Sequence, residues 1–372
     1  MKRASSARRF AVRGRPRLVY VVVALYGIIA FVFLAGYLAR YVHPKYAWWL
    51  QLAGIGLPFS AAAVSIFAIG FAIRDRGRRR LLHLALLLLV VVRFPPWRLF
   101  PAAGVAAPDD LRILTYNSPG TAVSADIRVP DAIAALVDEA DPDLIAFQEV
   151  YWRYAFGRKT AAGRADVESL IMNTGYDDAP DSISRPMITH QPVLSRIGIA
   201  TITSSRFQYD PDDEDDLEIV RAETVFEGRR FATYNVHLAS YGSRKPWEEE
   251  LSGRFDPRVW VAYMRRYRSA ILRRSWEAEH VRAAIEEAAG PFLVTGDFNA
   301  TPHNWSYRRI ASGLRDAMAD TGGGPGFTYH RRRPIARIDY ILASDEFEFT
   351  SARVLNGNVS DHLALTATVR WR

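Results

Sequence analysis

The residues of this chain with the clearest potential for chemistry lie at the end of one short apolar run. Residues 292–294 form a run that is typical of a buried strand. Gly296 breaks it, and Asp297 and Asn299 follow with one residue between them. Residues i and i+2 of an extended segment point to the same side, so a carboxylate and an amide face one spot. Such a pair could deprotonate a water and hold a phosphoryl oxygen, although Asp-x-Asn is also common in turns that close strands.

Polar side chains of similar kinds accompany the other predicted strands. In chain order these residues are Asn117 after strand 111–116, Glu149 after strand 143–147, Asn235 and His237 on one side of strand 230–239, Asp339 within strand 337–342, and Asp361 and His362 before a last strand. Glu149 offers the oxygen ligand that Mg²⁺ prefers. A carboxylate within an apolar strand needs a partner, so we expect Asp339 to hold the His362 ring in one tautomer. Any one of these residues alone has an ordinary structural explanation.

Two helices are predicted between these strands. The first covers about residues 131–140, and the second ends near residue 289. On the second helix, the apolar residues at helical spacing predict the buried side: Ala278, Val281, Ala284 and Ile285. Its many arginines are expected on the solvated face.

Composition limits the kinds of site that the chain could carry. There is no cysteine, so any metal must be bound by oxygen or imidazole. The net charge of +8 is uneven, because residues 1–100 hold 16 of the 48 Lys and Arg and only one acid. The remainder carries 32 bases and 39 acids, a net charge of −7. That balance argues against broad electrostatic capture of a nucleic-acid duplex.

The first hundred residues resemble a membrane region. Residues 1–17 form a basic tail, and residues 18–39 are 22 uncharged residues, enough for a helix of about 33 Å that crosses a bilayer. Residues 47–73 are also uncharged and predict a second span. A third segment, about 80–97, contains only a 12-residue apolar run, residues 81–92, which His83 interrupts, so it either spans a thin bilayer or lies in the interface. Residues 101–110 predict a Pro/Ala linker to a soluble domain at 111–372.

Charge asymmetry predicts the orientation of this region. The arginine-rich tail and the basic loop 74–80 are both expected in the cytoplasm, which is consistent with two crossings between them. If the third segment also crosses, the domain at 111–372 lies outside the cytoplasm. The sequence therefore predicts a multi-pass protein of the cell membrane with an extracytoplasmic domain.

Taken together and in order, the motifs resemble those of the endonuclease/exonuclease/phosphatase superfamily, the DNase I-like fold, over about residues 111–370. The resemblance implies an α/β fold, a four-layer sandwich of two packed mixed β-sheets flanked by helices, here preceded by two to three transmembrane helices. It also implies that Asn117 and Glu149 bind a divalent cation, Mg²⁺ or Mn²⁺, with Asp361 as a further acidic residue near the metal.

The same resemblance assigns roles in catalysis. Asp297 matches the residue that activates or orients the attacking water, and Asn299 the residue that holds the phosphate. His362, steered by Asp339, matches the residue that stabilises the transition state or assists proton transfer. His237 resembles a second site histidine of some branches, with Asn235 beside it.

The predicted function is metal-dependent hydrolysis of a phosphoester by in-line attack of water on phosphorus. The lipid bilayer is the expected partner of the N-terminal helices, and no protein partner is evident. A phospholipid or sphingolipid head group and extracellular nucleic acid both remain open as substrates. The alternative from another class is a membrane sensor that binds a phosphorylated ligand without turnover.

Overall fold

The computed structural model of the chain describes residues 15–96, 106–118, 129–150, 152–155, 158–160, 176, 187–211, 216–241, 255–321, 324–332 and 334–372. The first 14 residues of the predicted basic tail and residues 101–105 of the predicted linker lie outside these ranges.

The N-terminal region is helical. Its helices are α1 (Arg15–Ala39), α2 (Pro44–Ala47), α3 (Leu50–Ile55), α4 (Leu57–Arg74) and α5 (Arg78–Arg93). The predicted segment 47–73 is therefore not one continuous helix. It is divided at Gly56, which ends α3 and precedes α4, because Pro58 in the first turn of α4 has no N–H to continue a helix from α3.

Two of these helices are long and apolar enough to cross a membrane by length and composition, Leu18–Ala39 and Leu57–Arg74. Helix α5 has 16 residues and is about 24 Å long. Large apolar side chains on all three helices face outward, among them Leu18, Ile66 and Leu88. Contiguous exposed apolar surface of this kind is typical of a membrane or protein interface.

The remaining elements form an α/β domain. They are β1 (Leu111–Asn117), α6 (Val129–Ala140), β2 (Leu144–Gln148), β3 (Trp152–Ala155), β4 (Arg158–Thr160), β5 (Met187–Thr189), β6 (Val193–Ser195), β7 (Thr201–Phe207), β8 (Leu217–Phe226), β9 (Arg229–His237), α7 (Pro257–Glu286), β10 (Phe292–Asp297), α8 (Trp305–Ala311), β11 (Arg315–Asp316), α9 (Ala317–Thr321), β12 (Asp339–Ala343), β13 (Phe347–Leu355) and β14 (Ala364–Trp371).

Two mixed sheets pack face to face. One has the strand order β13-β14-β1-β2-β6, the other β11-β12-β10-β9-β8-β7, and a small sheet has the order β4-β3-β5. One core cluster lies between the two large sheets and includes residues of α6. A second cluster joins α7 and α8 to the six-stranded sheet, β11-β12-β10-β9-β8-β7. This arrangement confirms the predicted sandwich. The predicted buried side of α7 is also confirmed, since Ala278, Val281 and Ile285 are buried and Ala284 packs against them.

Strand direction brings the polar strand ends together. Strand β1 is parallel to β2, and β9 is parallel to β10, so the carboxyl ends of each pair lie side by side. Strand β12 runs antiparallel to β10, which sets its first residue, Asp339, opposite Asp297. Across β10, Asp297 is also the register partner of His237. The sheets therefore gather residues from distant parts of the sequence at one edge.

Gly296 is required where β10 approaches β9. Its φ is +131°, and a Cβ there would lie 1.9 Å from the carbonyl oxygen of Val236. No side chain fits that space, because contacts below about 3 Å do not occur for real Cβ atoms. The glycine thus allows close pairing of the two strands that carry Asp297 and His237.

The N-terminal helices contact the domain beside this edge. The side-chain oxygen of Gln51 in α3 accepts hydrogen bonds from Asn304 Nδ2 at 3.1 Å and from the Trp305 backbone N–H at 3.0 Å. Asn304 Nδ2 also lies 3.0 Å from the Gln51 carbonyl oxygen, and Arg93 of α5 donates to the Pro302 carbonyl at 3.0 Å. Both Gln51 and Asn304 are buried. The loop that follows Asn299 is therefore held by the N-terminal helices.

Candidate active site

Asp297 is the centre of the polar cluster at the shared sheet edge. Its side chain is 1% exposed, and its Oδ2 accepts a hydrogen bond from Asn117 Nδ2 at 3.0 Å. The same oxygen lies 3.6 Å from His237 Nε2 and 3.7 Å from His362 Nε2. A buried carboxylate of this kind is stable only with such polar partners. The structure thus brings together Asp297 and three of the other predicted site residues.

Glu149 forms the open side of the cluster. Its Oε1 accepts a hydrogen bond from Asn117 Nδ2 at 3.1 Å and lies 3.8 Å from His237 Nε2. The side chain is 43% exposed, so solvent reaches the cluster here. Asn117 therefore joins the carboxylates of Glu149 and Asp297 through one amide nitrogen. These contacts follow from the parallel register of β1 and β2, which places Asn117 opposite Gln148.

His362 is held by Asp339, as the sequence predicts. His362 Nδ1 lies 3.0 Å from Asp339 Oδ2 and 3.2 Å from Oδ1, and Asp339 is 1% exposed. Burial alone would lower the pKa of the ring, but the carboxylates of Asp339 and Asp297 outweigh burial and raise the pKa to about 10. With Nδ1 committed to Asp339, the Nε2 atom is directed towards Asp297.

The sequence predicts that Asn299 holds the phosphate, whereas in the structure its amide group contacts protein atoms. Its backbone N–H donates to Asp297 Oδ1 at 2.7 Å. Its Nδ2 donates to the Leu238 carbonyl at 2.9 Å and to Asp297 Oδ2 at 3.2 Å. In the structure the side chain therefore orients Asp297. Asn299 and Glu149 both have positive φ, +47° and +62°. This conformation is strained for residues other than glycine, and residues strained in this way are common at functional sites.

Asn235 and Asp361 lie outside the central cluster. Asn235 shares the inward side of β9 with His237, but it is fully buried between the sheets. Its Nδ2 donates to the Phe147 carbonyl at 2.8 Å, and its Oδ1 accepts from Gln148 Nε2 at 2.8 Å. These bonds give Asn235 a role in tying the two sheets together. The Asp361 side chain is exposed, and its carbonyl accepts from the Arg331 backbone N–H at 2.8 Å.

Three polar residues near the site were not singled out by the sequence pattern. On α7, Arg274 and Glu277 are buried, although the arginines of this helix were expected on its solvated face. Both bind the loop after β9. Arg274 donates to the Ala239 carbonyl at 2.9 Å, and Glu277 accepts from the Ala239 N–H at 2.7 Å. Ser360 donates to the Asn117 carbonyl at 2.8 Å and accepts from the His362 N–H at 3.1 Å. It thereby joins two strand ends of the cluster.

The donor set fits a divalent cation. Asp297, Asp339 and His362 offer ligand atoms that lie within 4.8 Å of one another. Asp339, however, faces His362 with both oxygens, whereas Glu149 is half exposed and neighbours the Asn117 amide. Within the described ranges, no lysine or arginine forms an ion pair with Glu149, Asp297 or Asp339, so their negative charge is offset only by imidazole. Carboxylate and amide oxygens of this kind suit Mg²⁺ or Mn²⁺.

Comparison with known proteins agrees with this geometry. Residues 114–362 match the sequence profile of the endonuclease/exonuclease/phosphatase family, and residues 18–99 match a separate profile described as a domain of unknown function (DUF8431). A search of curated proteins found no match.

Solved structures with the same fold include an endonuclease/exonuclease/phosphatase family protein from Leptotrichia buccalis C-1013-b. It is 18% identical, with a TM-score of 0.50, over 70% of this chain and 100% of that one. The human Nocturnin catalytic domain with bound sulfate is 20% identical, with a TM-score of 0.48, over 72% of this chain and 97% of that one. The profile match covers most of the chain. This chain belongs to the endonuclease/exonuclease/phosphatase family.

Proposed function

We propose that the chain is a membrane-anchored, divalent-metal-dependent phosphodiesterase that acts on a phosphodiester of a lipid head group. The observation that carries the hydrolase assignment is the contact set of Asp297. One buried carboxylate is bonded by Asn117 and Asn299 and lies within 4 Å of two imidazole Nε2 atoms. A water beside Asp297 would have a base in reach, with polar groups around the phosphorus that it attacks.

These contacts support the following roles in the proposed mechanism. Asp297 accepts the proton of the attacking water, and Asn299 holds the carboxylate in position. His362, fixed by Asp339, and His237 face the reacting phosphoryl group and stabilise its charge or assist proton transfer. Glu149 and Asn117 would hold the cation, which would supply charge stabilisation for the phosphoryl oxygens. Asp361, which directly precedes His362, would be a further acidic residue near the cation.

A lipid substrate is favoured by the position of the N-terminal helices. Helices α1 and α4 have the length and apolar composition of membrane spans. Gln51, between them in sequence, is hydrogen-bonded to Asn304, only five residues after Asn299. Anchoring through α1 and α4 would therefore keep the catalytic edge close to the bilayer surface. We further propose that this surface is extracytoplasmic, because the basic loop 74–80 favours the cytoplasm.

The test is a substrate screen with the full-length chain in detergent micelles. The substrates are mixed micelles that contain phosphatidylcholine, sphingomyelin or a phosphoinositide, and, in a separate sample, a single-stranded DNA. Each substrate is assayed with Mg²⁺ and then with a chelator. We expect release of a phosphorylated head group that stops in the chelator. Cleavage of DNA alone would reject the lipid substrate. Binding of a phosphorylated ligand without any turnover would reject the enzyme assignment in favour of a sensor.

A further inference from the structure

Three arginines meet where the N-terminal helices contact the catalytic domain. Arg40 directly follows α1, Arg93 is the last residue of α5, and Arg308 lies in α8. The Arg308 guanidinium is 4.3 Å and the Arg40 guanidinium 5.5 Å from the centre of the Tyr41 ring. Arg93 Nη2 lies 2.5 Å from His303 Nδ1. Arg93 is also close enough to Arg40 and Tyr41 for their charges to act on it, as Arg308 is to Arg40. Three positive side chains from three separate segments therefore surround one small region, here called the arginine junction (Arg40, Arg93 and Arg308).

No carboxylate of the described residues pairs with the charges of this junction. In the part of the chain that the structure describes, none of the three arginines forms an ion pair, whereas arginines elsewhere do, as in Arg309–Glu279 and Arg337–Asp316. The Nε atoms of Arg40 and Arg93 are buried and have no hydrogen-bond partner among the described residues. Buried donors of a charged group without partners are costly, and negative charge bound beside these guanidinium groups would offset part of that cost.

Histidine 303 does not add to the positive charge. Burial and the charges of Arg93, Arg337 and Arg40 lower the pKa of His303 well below its usual range, so its ring is neutral. Its Nδ1 can then accept a hydrogen bond from Arg93 Nη2, which also donates to the Pro302 carbonyl, while the Arg93 Nε has no partner among the described residues. The junction therefore has guanidinium donors in excess of acceptors.

We propose that the arginine junction is a binding site for a phosphate group, carried by a membrane lipid or free in solution. Guanidinium groups present planar pairs of donors that match phosphate oxygens, and three of them can contact different oxygens of one phosphate. Arg40 is the first charged residue after the apolar span of α1, and Arg93 ends the apolar run of α5. That position corresponds to the depth of lipid head groups if α1 spans the bilayer. The lipid source rests on the proposed membrane anchoring, and the site is separate from the one around Asp297.

The test uses full-length protein in detergent, with the Asp297→Asn substitution in every sample so that no probe is hydrolysed. Isothermal titration is made with dioctanoyl phosphatidic acid, with inorganic phosphate, and with dioctanoylglycerol, which has no phosphate. The variants are Arg308→Gln and the double variant Arg40→Gln/Arg93→Gln. Arg308 is exposed, so its substitution leaves the fold intact even if the double variant is unstable. Arg315→Gln is the matched control. Arg315 is outside the arginine junction, and its Nε lies 2.9 Å from Asp320 Oδ2, with which it forms an ion pair.

We expect phosphatidic acid to bind, and Arg308→Gln to weaken binding by at least about tenfold, the loss typical of one charge-assisted contact. Arg315→Gln should bind like the parent. Equal affinity for inorganic phosphate would assign the site to free phosphate, and much weaker affinity would assign it to lipid. Equal binding of dioctanoylglycerol, or affinity unchanged by Arg308→Gln, would overturn the proposal. Because no turnover is measured, these outcomes are independent of whether the chain is a phosphodiesterase.

Discussion

Replacing Gln51 by Ala should loosen the loop beside the catalytic edge. The Gln51 side chain donates to the Ala39 carbonyl at 2.8 Å and accepts from Asn304 Nδ2 and the Trp305 N–H. Asn304 Nδ2 keeps the Gln51 carbonyl as an acceptor in the variant, so two groups lose their partners, the buried Ala39 carbonyl and the partly buried Trp305 N–H. The buried carbonyl costs about 1–3 kcal/mol without a partner and the partly buried N–H about 1 kcal/mol, so we expect a loss of about 2–4 kcal/mol.

The loss is measurable in two ways. At about 2 °C per kcal/mol for a domain of this size, Gln51→Ala should lower the melting temperature of the full-length protein by about 4–8 °C. Hydrogen exchange of the Trp305 amide, which Gln51 protects, should become faster. Gln208→Ala is the matched control, because Gln208 is exposed and its one side-chain hydrogen bond within the described ranges is to the Pro211 carbonyl, at 3.3 Å. If the Gln51 and Gln208 variants melt and exchange alike, the helices do not support the loop.

Three further outcomes follow from the site and the membrane region. Glu149→Gln should raise the Mg²⁺ concentration for half-maximal rate, because the proposed ligand carboxylate is lost, and a metal titration measures this. Asp339→Asn and His362→Ala should each lower kcat by about 10²–10⁴-fold, with the double variant little worse than His362→Ala, because the residues act as one unit. A tag fused after Arg372 should be digested by protease added to intact cells or spheroplasts, because the catalytic domain is proposed to lie outside.

Each of these has a control and a contrary result. Glu227→Gln is matched to Glu149→Gln, since Glu227 also has positive φ, +51°, but lies in the exposed turn between β8 and β9. Equal metal dependence in both variants would remove Glu149 from the cation site. Asp316→Asn, which breaks a buried pair with Arg337, controls for loss of stability alone. Losses that multiply in the double variant would show that Asp339 and His362 act independently, and a protected tag would reverse the proposed orientation.

Sequence patterning predicted the parts of the site that depend on strand ends. An apolar run that stops at a polar residue places that residue at a sheet edge, which is why Asp297, Glu149 and Asn117 could be grouped before any coordinates. The same rule placed Asn235 beside His237, and both do face inward. It could not show that the sheets close over Asn235, because depth between two sheets depends on the partner sheet and not on alternation along one strand.

Contacts between distant segments were beyond the reach of the pattern. The buried Arg274 and Glu277 have the same local sequence signature as exposed helix residues, and only packing against the loop after β9 distinguishes them. Gln51 lies in an uncharged stretch that predicts a membrane span, yet it binds Asn304, 253 residues later in the chain. Periodicity reports which face of an element is apolar. It does not report which other element supplies a hydrogen-bond partner.

The most direct test of the account is the Mg²⁺-dependent rate of Asp297→Asn under single-turnover conditions. Asp110→Asn is the matched control, because Asp110 is also buried but bonds to Thr350 and the Ala107 N–H at the start of β1, the opposite end of that strand from Asn117. With full-length protein and the head-group substrate found in the screen, we expect Asp297→Asn to lose at least about 10²–10⁴-fold in rate while Asp110→Asn keeps the parent rate. A rate for Asp297→Asn equal to that of Asp110→Asn, at unchanged melting temperature, would contradict the assignment of Asp297 as the residue that activates water.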